Sequence, residues 1–131
     1  MINSPLKDKE ELKLTAIVVD DDEVWRNLIV ILFSKYKRIE FVGNAQCYST
    51  AKSEIQRLNP DVLFLDVNLW DSKNGFDLLK DLDRKPKTVF VSADTKYESK
   101  AFESGGVAFL KKSFSIEEMK LSVHKIMSKL R

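Results

Sequence analysis

One cysteine, three prolines, four glycines and a single histidine among 131 residues withhold the raw material of several protein classes. Cys47 has no partner in the chain, which excludes an internal disulfide framework and a thiolate metal site and suits a reducing compartment. Proline and glycine are too scarce for a low-complexity chain. No apolar run is long enough for a signal peptide or a membrane span, so no membrane partner is expected and the location expected is cytoplasmic. Charge of one sign is missing too. Lys and Arg number 22 against 20 Asp and Glu, a net +2 that argues for no nucleic-acid partner of this domain without a recognised motif or a basic–aromatic cluster. His124 stands inside a helical stretch without a partner motif and reads as an ordinary helix residue.

What is present is a globular balance, 44% hydrophobic and 32% charged, at the length of one domain. Residues 1–13 have no apolar period and are interrupted by Pro5, which predicts a flexible N-terminal arm ahead of a single domain over 14–131. The run Leu14 to Val19 is continuously apolar or β-branched, the mark of a strand buried on both faces of a parallel sheet. Val24 to Tyr36 then spaces Val24, Leu28, Ile31 and Leu32 helically. The couplet repeats: strands at 39–43, 61–66, 87–91 and 107–110, and helices at 49–58, 76–82, 96–103 and 115–130. Asn59-Pro60 stops the second helix, Gly105-Gly106 the fourth, and Ser115 caps the fifth. In the fifth, Met119, Ile126 and Met127 read as core or a docking face. Five strands alternating with five helices predict an α/β fold with a doubly wound parallel sheet.

Polar residues collect where the strands end. The first strong strand closes on Asp20 and Asp21, the third on Asp66 and the fourth on Ser92, while Lys112 follows the fifth. Singly, each has an ordinary reading: Asp22 as a helix N-cap, Ser92 as a turn residue, Lys112 as a solvated lysine. Together they fall at the carboxyl edge of the sheet, where open α/β folds bind ligands. Clustered carboxylates raise one another's pKa unless they share a cation, and hard oxygen ligands open to water suit Mg²⁺. With Lys112 as a second positive charge, the edge suits an anion in phosphoryl transfer.

These pieces resemble the response-regulator receiver family, a flavodoxin-like fold with strand order 2-1-3-4-5. The resemblance rests on Ile17-Val-Val-Asp-Asp-Asp-Glu23, Pro60-Asp-Val-Leu-Phe-Leu-Asp66-Val-Asn68, Val89-Phe-Val-Ser92-Ala93 and Gly106-Val-Ala-Phe109-Leu-Lys-Lys112-Ser-Phe114, and covers residues 14–130. It implies that Asp66 is the phospho-acceptor, with a sensor histidine kinase or phosphotransfer protein as phosphoryl donor. It implies that Asp21 binds Mg²⁺, that Asp20 holds a metal-bound water, and that the Asn68 backbone carbonyl is a further ligand. Ser92 and Lys112 would hold the phosphoryl oxygens, Ser92 and Phe109 would form the switch, and Asn68 and Asp94 would tune hydrolysis. A homodimer through the fourth helix, fifth strand and fifth helix belongs to the same implication.

Two departures stand out. The family usually has Lys-Pro after the fifth strand, with a cis bond; here the pair is Lys112-Ser113, and a cis bond to a non-proline costs about 2.5–4 kcal/mol. A trans bond is therefore expected, with a question over the reach of Lys112. The loop from Leu69 to Gly75 is longer by one residue and places Trp70 at the usual proline, as an aromatic lid or as packing over the loop. Trp25 and Trp70 both fall near the expected site. Two rival functions remain. A degenerate receiver that docks without phosphorylation would lack the acids, the acceptor or the lysine, and all are present. A phosphatase with an Asp-x-Asp nucleophile would need a second acid where Asn68 stands.

Overall fold

The computed structural model describes residues 13–69, 71 and 73–130. The expected arm, Lys13 apart, and Trp70 lie outside the described residues. The strands are β1 (Leu14–Val19), β2 (Ile39–Ala45), β3 (Val62–Asp66), β4 (Lys87–Ser92) and β5 (Ala108–Lys111). The helices are α1 (Glu23–Phe33), α2 (Tyr48–Leu58), α3 (Gly75–Asp81), α4 (Glu98–Glu103) and α5 (Ile116–Lys129). All pairings are parallel, in the order β2-β1-β3-β4-β5.

Side chains alternate across a strand, so a strand buried on both faces feeds two cores. Ala16, Val18, Val62, Phe64, Val89 and Leu110 meet Ile29 and Phe33 of α1 and Met119, Val123 and Ile126 of α5. Their in-between neighbours Ile17, Val19, Leu63, Leu65 and Phe90 meet Ala51 and Ile55 of α2, Leu78 of α3 and Ala101 of α4. Aromatic rings pack within each core, Phe33 on Phe64 at 4.4 Å between centroids in one and Phe76 on Phe90 at 5.0 Å in the other. Met119 and Ile126 are core, Met127 packs against it, and His124 is exposed.

The ends of the elements differ from the sequence expectation in ways with local causes. Helix α1 stops at Phe33, its last core residue, and the polar stretch behind it turns through a Tyr36 N–H to Phe33 C=O bond of 3.0 Å. Strand β2 runs two residues further, to Ala45, whose carbonyl accepts from Asp20 N at 3.0 Å just past β1. The fourth helical stretch is split into a 3₁₀ turn at Thr95–Tyr97 and α4. Asp94 causes the split by capping the 3₁₀ turn, its carboxylate accepting from Lys96 N at 2.9 Å. Asn59 does end α2, in the left-handed region at φ 48° that asparagine tolerates.

Candidate functional site

Asp20 and Asp66 continue the alternation of Val18 and Phe64, so both carboxylates leave the sheet edge towards the α1–α5 side. Lys112 continues that of Leu110, and its backbone N–H is tied to Ser92 C=O at 2.9 Å, directly beside the end of β4. Burial follows from this placement: Asp20 is 0% exposed, Ser92 1% and Asp66 4%. Asp21, one residue beyond Asp20, is exposed, yet one oxygen from each of Asp20, Asp21 and Asp66 lies within 4.8 Å of the others. The Lys112 ammonium sits 2.8 Å from Asp20 Oδ2 and donates to Asp66 Oδ2 at 3.4 Å. The Lys112–Ser113 bond is not cis, since no cis peptide occurs among the described residues, and the lysine reaches both acids regardless. The expected limit on its reach is therefore absent.

Neighbouring groups complete the pocket. Asn68 N donates to Asp66 Oδ1 at 3.3 Å, which puts the Asn68 backbone against the candidate acceptor. Ser92 Oγ accepts from Asp94 N at 3.1 Å. Phe109 is half-buried against the α2–α4 core. Asp22 takes the ordinary role and caps α1, accepting from Val24 N at 2.9 Å. Gly75 is needed for space: a Cβ there would lie 2.3 Å from the Asp66 carbonyl oxygen, so only glycine lets α3 start beside the acceptor.

Three carboxylates around one ammonium leave the pocket short of positive charge. Burial, and then the Asp20 charge, push the Asp66 carboxyl up from 3.8 to about 7 against the opposing pull of Lys112. Burial and the Asp20 charge also raise Asp21. For Lys112 burial works against the charged form, but Asp20 and Asp66 outweigh it and the net shift is upward. Asp20 Oδ2 is buried, and the charge that faces it is the Lys112 ammonium at 2.8 Å. Three hard oxygen ligands within 4.8 Å of one another, with one ammonium to balance them, fit a divalent cation such as Mg²⁺.

Three contributors go beyond what the sequence pattern indicates. Arg26, early in α1, donates to the Asp20 carbonyl at 2.6 Å and fixes the acidic turn. Position alone puts Trp25 near the site, but its ring lies 5.3 Å from the Lys112 ammonium, a direct contact. Asp71 accepts from Tyr48 N at 3.1 Å and from Ser49 N at 3.4 Å, supplying an N-terminal acceptor for α2 that Cys47, its N-cap, does not provide. An arginine soon after an acidic strand end is a signal that could flag Arg26; nothing local points to Asp71.

Comparison with known proteins gives the family and the fold. The family model for the response regulator receiver domain matches residues 16–124, and the chain belongs to that family. It is 34% identical over 109 residues to the sensory transduction protein LytT of Bacillus cereus, covering 81% of this chain and 44% of the relative. An uncharacterized response regulatory protein of Vibrio cholerae is 31% identical, covering 87% of this chain and 48% of the relative. The chain thus spans under half the length of the curated relatives it matches. Among solved structures, the response regulator domain of Thermotoga maritima CheB superposes with a TM-score of 0.77 at 23% identity, covering 91% of this chain and 94% of that one. The response regulatory domain of mrkE from Klebsiella pneumoniae gives 0.74 at 22% identity, covering 89% and 98%. The chain is a receiver domain of the two-component type with the flavodoxin-like fold expected of it. Among the described residues no helix is long and apolar enough to cross a membrane.

Proposed function

We propose that this receiver is phosphorylated on Asp66 by a sensor histidine kinase or a phosphotransfer protein. The observation that carries the reading is the group of three carboxylates at one sheet edge, with the Lys112 ammonium between Asp20 and Asp66. The Asp66 carboxylate attacks the phosphorus of a phosphohistidine; an O–P bond forms, the P–N bond breaks, and the imidazole leaves with its electron pair. Lys112 is placed to neutralise an incoming phosphoryl oxygen, and Ser92 has a hydroxyl at the same edge to donate to another. Asp20, Asp21, Asp66 and the Asn68 carbonyl would hold Mg²⁺, which supplies further positive charge to the phosphoryl group.

Phosphorylation adds negative charge at this edge and so gives the Ser92 hydroxyl, which accepts from Asp94 N, an anionic acceptor to donate to. Ser92 at the end of β4 and Phe109 in β5 belong to neighbouring strands, which supports a switch that carries the change to the α4-β5-α5 face. Phe102 of α4 and Leu121 of α5 are exposed, apolar surface that a homodimer through this face would cover. Asn68 and Asp94 flank the acceptor and the serine, in keeping with a role in phosphoryl lifetime. A cytoplasmic location, without nucleic-acid or membrane contact by this domain, completes the reading. The domain is a signalling protein that assists its own phosphotransfer.

The test is incubation with acetyl phosphate, with and without Mg²⁺, read as a mass gain of one phosphoryl group. Asp66→Asn is expected to abolish labelling with the fold intact by circular dichroism. Labelling of that variant at the wild-type level sinks the assignment. No Mg²⁺ response of tryptophan fluorescence at millimolar ion would favour a docking module that is never phosphorylated.

A further inference from the structure

Lys112 has a long stem of several rotatable bonds on the segment that leaves β5, and its ammonium must stand at one place to meet a phosphoryl oxygen. The two carboxylates that hold it are Asp20 at 2.8 Å and Asp66 at 3.4 Å. Both belong to the group that fits a divalent cation. A dication there would neutralise those carboxylates and repel the ammonium, so the anchor weakens at the moment the lysine is required. One neighbour is immune to this competition. The indole of Trp25, on the first turn of α1, faces the ammonium at 5.3 Å from the ring centroid, within cation–π range. A neutral ring offers no ligand to a hard cation and keeps its attraction whether or not the carboxylates are neutralised.

The ring is itself well held. Trp25 is half-buried, packs against the α1–α5 core, and is followed by Arg26, whose guanidinium grips the Asp20 carbonyl at 2.6 Å. Phe114 stands 6.4 Å from the indole at 49° between ring planes, and is otherwise 98% exposed. The indole thus faces the lysine from a side chain anchored in the core, with Phe114 at its solvent side.

We infer that Trp25 is a positioning residue for Lys112: its ring face holds the ammonium at the pocket when a cation occupies the carboxylates. This rests on the reading of Asp66 as phospho-acceptor. It separates the two sources of attraction on Lys112, one ionic and lost on metal loading, one aromatic and retained.

Two substitutions separate ring chemistry from packing. Trp25→Leu keeps an apolar side chain against the core and removes the π face; Trp25→Phe keeps a smaller one. At saturating Mg²⁺, the rate of acetyl phosphate labelling is expected to fall by about three- to tenfold in Trp25→Leu, the range of a partly desolvated cation–π contact. Trp25→Phe should recover most of that loss, while the Mg²⁺ dissociation constant from calorimetry stays within about twofold in both. A second readout needs no labelling: the Lys112 side-chain methylene protons should show a ring-current shift that survives Mg²⁺ addition in the wild type and disappears in Trp25→Leu. Wild-type labelling in Trp25→Leu overturns the inference, as does loss of the ring-current shift on Mg²⁺ addition. Failure of the wild type to label at all, with the shift retained, would instead strike at the phospho-acceptor reading and leave the aromatic anchor standing.

Discussion

Replacing Asp66 by asparagine removes a buried acid from a pocket that holds too few positive charges, and should stabilise the protein in chelator at alkaline pH. The folded Asp66 carboxyl takes up its proton near pH 7, against an ordinary value of 3.8. Between those values the folded chain holds a proton that the unfolded chain has released, so stability falls as pH rises through the window and the loss is complete above it. At about 1.4 kcal/mol per tenfold change, the displacement from 3.8 to about 7 sets a ceiling of about 4 kcal/mol. The substituted amide also forfeits the ionic contact with Lys112, so about 2 kcal/mol is the working figure. For a domain of this size that is a rise in Tm of roughly 6–10 °C at pH 8.

The assay is thermal unfolding followed by far-ultraviolet circular dichroism, in chelator, at pH 5, 6, 7 and 8. The wild type and Asp66→Asn should melt close together at pH 5, where Asp66 is already neutral, and diverge as pH rises. Adding about 10 mM Mg²⁺ at pH 8 should narrow the gap by stabilising the wild type, by about 1.4 kcal/mol for a millimolar dissociation constant. A variant less stable than the wild type at pH 8, or a gap equal at pH 5 and pH 8, would refute the account of the pocket as a store of unneutralised charge.

Three further outcomes follow from single contacts. Gly75→Ala forces a methyl group to within 2.3 Å of the Asp66 carbonyl, and should cost about 1–3 kcal/mol in urea unfolding and slow labelling. Lys112→Met leaves Asp20 and Asp66 facing each other without their shared cation; it should lose about 3 kcal/mol in chelator and regain part of it in Mg²⁺, read by the same melts. Ser92→Ala gives up one hydrogen bond, from Asp94 N at 3.1 Å, so its stability should fall by only about 1 kcal/mol while phosphorylation no longer alters the α4-β5-α5 amide shifts in NMR.

The fold was legible because β1 and β3 are apolar on both faces, which only a sheet covered on both sides can use. The pocket was legible because strand ends are short, polar and in phase: Asp20, Asp66 and Lys112 follow the alternation of Val18, Phe64 and Leu110. What escaped depends on side chains meeting across the chain. The approach of Trp25 to Lys112 joins α1 to the segment after β5, near opposite ends of the sequence, and no spacing rule encodes it. The break before α4 escaped because Asp94, a residue also read as site-proximal, commits its carboxylate to capping a 3₁₀ turn. Arg26 sits in a helical period that predicts only its exposure, whereas its guanidinium reaches back to the turn before the helix.

The carboxylate of Asp71 ties the order of assembly to the pocket. Helix α2 starts with a cysteine whose thiol turns to Thr50 and Ser49 rather than to the helix amides. Its first-turn donors find their acceptor only 23 residues later, in the segment that follows β3. Until β3 is docked beside β1 and Asp71 arrives, those amides have only water as a partner, and the start of α2 is less well capped. Completion of the edge that holds Asp66 therefore also caps that helix, and a chain stopped before Asp71 would leave the first turn of α2 without this acceptor.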